Sequence, residues 1–129
     1  MTKQKQFGGK NMNYPWLDEY CMSKQGATKE YKEEWKATKY IIVGKIFALQ
    51  GNDNTNRPVI TVKLSPEEGS FLRNLYEDII AGYYMNKEHW NSVYLDGSVP
   101  EDIVRDMIDK SYSILFASLT KKLQKEITG

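Results

Sequence analysis

"KYIIVGKIFALQGNDNTNRPVITVKL", residues 39–64, holds three β-rich runs, "KYIIV", "KIFALQ" and "PVITVKL", parted by turn material. Valine, isoleucine, tyrosine and phenylalanine at this density favour pleated strands over helix. Gly44 between the first two runs permits a tight reversal, because glycine takes positive φ without steric cost. The polar "GNDNTNR" reads as a longer hairpin loop. Two successive hairpins predict an antiparallel sheet, and the rest of the chain must supply what covers it.

Downstream, "SPEE" announces a helix, with Ser65 as N-cap, Pro66 at the first helical position and Glu68 closing a capping box. Phe71, Leu72, Leu75, Tyr76 and Ile79 continue its apolar stripe. Gly69 inside that helix costs roughly 1 kcal/mol against alanine, so packing must hold the turn. "IAGYYM" and "HWNSVYL" read as two strands meeting at a short turn around Asn86 and Lys87, and Asp96-Gly97 ends the second. A last long helix starts at Ser98, with Glu101 in a second capping box. Val104, Ile108, Tyr112, Leu115, Leu119 and Leu123 are its buried stripe, and Asp102, Arg105, Asp106 and Asp109 its outer face.

Upstream, "NYPWLDEYCMSKQG" reads as a helix capped by Asn13, with Pro15 in its first turn and Gly26 after its end. Trp16, Leu17, Tyr20 and Cys21 make its stripe. "ATKEYKEEWKAT", residues 27–38, fits a further turn of helix or an ordered loop. Residues 1–12 read as a mobile tail and 13–126 as one domain. The order is α-β-β-β-α-β-β-α. It predicts an α+β two-layer sandwich: a single five-stranded antiparallel sheet, helices mainly on one face, the other face partly open.

At 129 residues, 40% of them hydrophobic, the chain has enough for one core. No apolar run approaches the ~20 residues a membrane span needs. A single cysteine, Cys21, excludes an internal disulfide, and a cytoplasmic location is expected. The net charge of +1 includes Lys3, Lys5 and Lys10; without them, 15 basic residues face 17 acidic ones. That lacks the overall basic balance of a strong phosphate-tracking domain, though a local patch is compatible with it.

The stretch "GYYMNKEHWNSVYLDGSVPEDIVRDMIDKSY", followed by "LTKKL", resembles the carboxyl-terminal signature of the MmcQ/YjbR family. Tyr83, Met85, Asn86, Lys87, His89, Trp90, Asn91, Ser92, Val93, Leu95, Asp96 and Gly97 carry the match. Pro100, Ser111, Tyr112, Lys121 and Lys122 complete it. "GKIFALQG" resembles the family's glycine-containing hairpin, and the likeness covers about residues 14–124. "KEYKEEWKATKY" departs from it, lacking the proline and glycine of the family's compact element after the first helix. The resemblance implies an α+β fold akin to secretion chaperones or the bacterial frataxin shape. It also implies DNA binding through two projecting hairpins, a double wing.

Two readings of the signature stand side by side. In one, Asn86, His89, Asn91 and Asp96 are hydrogen-bond fasteners and the aromatics are packing. In the other, Lys87 contacts phosphate while Trp90 or Tyr94, on the open face with Ser92, offers a stacking surface, with Tyr83 or Tyr84 across the hairpin. Lys45, Arg57, Lys63, Lys121 and Lys122 are the further cations that would join such a surface. A zinc site wants several Cys or His ligands, and this chain has one of each. No nucleophile elbow, Walker loop or GxGxxG occurs, so neither enzyme activity nor a metal or cofactor is expected. The functional expectation is weak, salt-sensitive DNA binding by hairpin wings; the alternative is a protein-interaction module using an open aromatic sheet face. A contiguous positive face would favour the first and an apolar patch around Trp90 and Tyr94 the second.

Overall fold

A computed structural model describes residues 13–82 and 86–129. The tail reading of residues 1–12, and the pairing of Tyr83 or Tyr84 across the hairpin, lie outside the described residues.

Strands β1 (Thr28–Lys32), β2 (Ala37–Ile42), β3 (Lys45–Asn52), β4 (Pro58–Lys63), β5 (Ile79–Ala81) and β6 (Trp90–Tyr94) form one antiparallel sheet in the order β1-β2-β3-β4-β6-β5. The helices among the described residues are α1 (Leu17–Met22), α2 (Pro66–Leu75), α3 (Glu101–Ala117) and α4 (Lys121–Thr128). The α+β class and the single antiparallel sheet are as expected. The count is not: among the described residues six strands replace five, four helices replace three, and the order is α-β-β-β-β-α-β-β-α-α.

The sixth strand, β1, comes from the segment read as helix turn or loop. Its residues pair with β2 from Thr28↔Ile41 to Lys32↔Ala37, yet four of its five are exposed. An edge strand with both faces wet carries no alternating pattern to read. Lys36, with φ of 49°, helps turn the chain back into β2. The next reversal uses Val43 and Gly44, at φ of 44° and 77°, the paired positive values of a tight hairpin turn.

Helix boundaries differ for local reasons. The Ser65 hydroxyl caps α2 by accepting from Glu68 N–H, as read. Asn13 caps nothing: its Nδ2 donates to Gly97 O at 2.8 Å, and α1 begins only at Leu17. Ser98 does not cap α3 either; its N–H donates to Asp78, and Pro100 precedes the helix. α2 ends at Leu75, so Ile79 belongs to β5. The long last helix breaks at Ser118–Thr120, where Thr120 caps α4 by accepting from Leu123 N–H at 3.2 Å.

The core lies between the helices and one sheet face. Leu17 and Cys21 of α1, Leu72 of α2, and Val104, Met107, Ile108 and Leu115 of α3 meet Tyr40, Ile42, Ala48, Ile60, Val62 and Val93. A bulge between Tyr40 and Ile41 places Phe47 against Tyr112, ring centres 5.3 Å apart and edge-on. Buried Ser111 clasps the sheet there: its hydroxyl donates to Phe47 O at 2.6 Å and accepts from Lys63 N–H at 2.9 Å. The opposite face is less open than expected. Leu49, Thr61 and Ser92 stand in one row across β3, β4 and β6, all fully buried, and the Thr61 and Ser92 hydroxyls are 2.7 Å apart. Ser92 is therefore a cross-strand tie and not an open-face residue; Trp90 and Tyr94 flank it two positions away on the same face.

Candidate nucleic-acid interface

Alternation along β6 directs Asn91 and Val93 to the helices and Trp90, Ser92 and Tyr94 to the outer face. Register extends that face to β4, with Lys63 beside Trp90 and Val59 beside Tyr94. The two ends of this strand pair differ in chemistry.

At the Tyr94 end, Arg57 grips Asp96, donating from Nε at 3.2 Å and Nη2 at 2.7 Å. Its guanidinium lies 3.5 Å from the centre of the Tyr94 ring. The Tyr94 hydroxyl donates to Asp53 Oδ2 at 2.9 Å. Asp53 Oδ1 also accepts from the Thr55 N–H and hydroxyl and from the Arg57 N–H. Burial works to raise the Asp53 carboxyl, but hydrogen bonds from Thr55, the Arg57 backbone and Tyr94 outweigh it and hold it down at about 2. The Tyr94 phenol is pushed up by burial first and by Asp53 next. Arg57 and Tyr94 thus already have partners within the protein, and Asp96 is the acid that takes Arg57.

At the Trp90 end, cations stand without ion pairs among the described residues, although Glu88 follows Lys87 in the turn. Lys63 sits directly across from Trp90. Lys87 lies in the turn just before β6, and its ammonium donates to Gly82 O at 3.2 Å. Lys45 opens β3, which runs antiparallel to β4, so it falls at this same end of the sheet. None of these three lysines forms an ion pair with a carboxylate among the described residues, whereas Lys24, Lys29, Lys39, Arg57, Arg105 and Lys110 each do.

The polar residues of the signature hold this end in shape. Asn86 Oδ1 accepts from Glu88 N–H at 2.8 Å, and its carbonyl accepts from Trp90 N–H at 2.9 Å. The His89 carbonyl accepts from Leu64 N–H at 2.8 Å and from Asn91 Nδ2 at 3.2 Å. Asn91 is fully buried, and its Oδ1 accepts from the Arg73 guanidinium. A Cβ at position 69 would come within 2.8 Å of that oxygen, which is why a glycine occupies the middle of α2.

Lys121 and Lys122 do not join either group. α4 packs through Leu123 and Ile127 on the helix side of the sheet, with Ile127 against Gly26 beside β1, the far edge from β6. Two features escaped the sequence reading. Lys39 lies 5.9 Å from the Trp35 ring centre and pairs with Glu30, a cluster hidden because β1 was not read as a strand. Asp53 organises the Tyr94 end, and "DNT" with its Asp and Thr two apart was the available signal for such a loop-closing turn.

The motif residues from Asn86 to Asp96 lie along β6 and the turns at its two ends, and a family model described as YjbR matches residues 22–114. The chain belongs to the YjbR family. Among its relatives, YjbR of Escherichia coli K12 is 38% identical over 96 residues, covering 74% of this chain and 80% of that protein. YyaQ of Bacillus subtilis 168 is 28% identical over 108 residues, covering 82% of this chain and 86% of its own. The crystal structure of Deinococcus radiodurans protein DR2400, with domain DUF419, superposes with a TM-score of 0.78 at 24% identity, covering 87% and 85% of the two chains. A Pseudomonas syringae protein gives a TM-score of 0.68 at 22% identity, covering 88% and 98%. These structural likenesses concern the fold. The YjbR match spans Lys45, Lys63, Lys87 and Trp90 but stops before Lys121 and Lys122.

Among the described residues no helix is long and apolar enough to cross a membrane, and no group of three or more metal-ligating side chains gathers.

Proposed function

We propose that this YjbR-family protein binds DNA, weakly and without catalysis, through the Trp90 end of the β4–β6 pair. The observation that carries the reading is the placement of Lys45, Lys63 and Lys87 at one end of the sheet without carboxylate partners among the described residues, with Trp90 directly beside Lys63. An ammonium without a carboxylate has no ion pair to give up when it meets a phosphate, and Lys87 gives up only its bond to Gly82 O, whereas Arg57 would have to leave Asp96 and the Tyr94 ring. Trp90 offers a face on which a base or sugar packs. Of the two hairpins that could act as wings, β2–β3 presents Lys45, while the β1–β2 tip sets Lys32 and Lys36 beside Glu34 and Glu33 and is close to neutral. The binding is electrostatic and carries no base-specific readout. A non-catalytic role accords with Cys21, which is buried and whose thiol is pushed up to about 12, chiefly by burial, so it stays protonated and inert.

The test is binding of a labelled mixed-sequence duplex across a salt series. Each phosphate contact contributes a slope of about 0.9 in log K against log salt, so Lys63→Ala and Lys87→Ala should each flatten the slope by about one contact. Arg57→Ala and Lys121→Ala should leave it unchanged. A chain without residues 1–12 separates the contribution of Lys3, Lys5 and Lys10. No binding at low salt, or binding lost only with those twelve residues, would refute the assignment.

A further inference from the structure

Helix α2 turns its expected stripe outward. Leu72 is buried as the periodicity requires, but Phe71 and Leu75 are 64% and 57% exposed. They lie one turn apart and share a side of the helix, with Glu67 one turn before them. After α2 the chain passes through Glu77 and Asp78, and a cleft of about 320 Å³ opens there, lined by Leu75, Tyr76, Glu77, Asp78, Ser98 and Val99. The cations around it are engaged elsewhere: Arg73 reaches inward to Asn91, Lys110 pairs with Glu68 and Asp106, and Arg57, near enough to Asp78 to feel its charge, is held by Asp96. The surface has an apolar centre, an indentation beside it, and a rim of carboxylates.

We propose that this α2 face is a docking site for a cationic amphipathic segment of a partner protein. The apolar side chains of that segment lie along exposed Phe71 and Leu75, while its lysines or arginines meet Glu67 and enter the polar cleft beside Leu75 to reach Glu77 and Asp78. Charge complementarity selects this occupant over a symmetric second copy, since a two-fold contact would set the same acidic rims against each other. The site is separate from the duplex-binding end: α2 covers the core face of the sheet through Leu72, while Lys63 and Trp90 lie on the outer face. A protein carrying both surfaces would join a basic protein segment to nucleic acid, but each surface stands or falls alone.

The experiment uses the full chain and a fluorescein-labelled synthetic 14-residue helix of leucine and lysine with one apolar face, read by anisotropy. The control peptide has the same composition, scrambled to remove that face. The expected result is saturable binding to the first peptide only. It weakens by about tenfold or more in Phe71→Ser/Leu75→Ser, as truncating two central apolar anchors does. It weakens comparably in Glu67→Lys/Glu77→Lys, and is unchanged in Lys63→Ala. All the substituted positions but Lys63 are exposed, and circular dichroism melts verify folding. Equal binding of both peptides, or equal binding by all variants, overturns the proposal. Two other outcomes overturn it by naming a different occupant. One is binding that appears only after residues 1–12 are deleted, which assigns the face to the chain's own Phe7 and lysines. The other is a sedimenting dimer lost in Phe71→Ser/Leu75→Ser, which assigns it to a second copy.

Discussion

The two ends of the β4–β6 pair are built from similar residues to opposite effect. Each sets a cationic side chain beside an aromatic ring on the outer face: Arg57 with Tyr94 at one end, Lys63 with Trp90 at the other. At the first, Asp53 and Asp96 complete the set and every charge is answered. At the second, no described carboxylate answers Lys63, Lys87 or Lys45. Answered charge serves the fold, and the unanswered charge is what the proposed duplex contact rests on. Composition alone cannot separate them, because the acids that decide it come from elsewhere in the chain: Asp96 is 39 residues from Arg57, and Asp53 is 41 from Tyr94.

The contrast breaks most visibly at Asp53. Asp53→Ala removes the acceptor of four hydrogen bonds and should cost about 3 kcal/mol in urea unfolding, with duplex affinity unchanged once folding is restored by lower temperature. A stability loss below about 1 kcal/mol would show that the closed end is not a fastener. The same residue gives a pH dependence. Its carboxyl is held at about 2 in the folded chain, against about 3.9 when unfolded. Between those values the unfolded chain binds more protons, so the contribution is complete above about pH 4 and fades as pH falls towards 2. Urea midpoints taken from pH 6 to pH 2 should drop more steeply for the natural chain than for Asp53→Asn. Parallel curves would contradict it.

Smaller changes sharpen the comparison. Tyr94→Phe loses one hydrogen bond to Asp53 and keeps the ring under Arg57, so about 1 kcal/mol is expected by thermal or urea denaturation. Lys63→Ala should move stability by no more than about 0.5 kcal/mol, since only its backbone N–H is tied, to Ser111. A loss above 1.5 kcal/mol from Lys63→Ala would mean that its side chain, too, belongs to the fold.

The sheet's middle was legible because β2, β3 and β4 are half-buried or wholly buried, and burial leaves its mark as β-branched runs bounded by Gly44 and the Asn-rich loop. β1 left no such mark, since both of its faces meet water and "TKEYK" reads as polar coil. The break before α4 was obscured by Leu119 and Leu123, whose spacing carries the apolar stripe across a capped interruption. Phe71 and Leu75 misled in the other direction: helical periodicity records which residues are apolar, not which side of the helix the sheet takes. The signature names Asn86, His89, Asn91 and Asp96 as fasteners; the side chains of Asn86, Asn91 and Asp96 have hydrogen-bond partners, whereas the bonds at His89 run through its backbone. Which cations would gather could not be seen, because sequence order places Lys45 nearer to Arg57 than to Lys87, and only strand register reverses that.

The contact between position 69 and the amide of Asn91 makes two distant stretches of chain compete for one space. Gly69→Ala alone drives a methyl group onto the buried oxygen, and Asn91→Ser alone strands Arg73 without its acceptor, although it removes the tightest contact the methyl group would meet and leaves the Arg73 guanidinium at 3.0 Å. The tolerated route therefore has a direction: position 91 must shrink before position 69 can grow. A scan of single sites would score Gly69→Ala as intolerant, whereas on an Asn91→Ser background the same methyl group should cost less than it does alone. Diverging copies of this chain would be expected to cross that step seldom, and in one order.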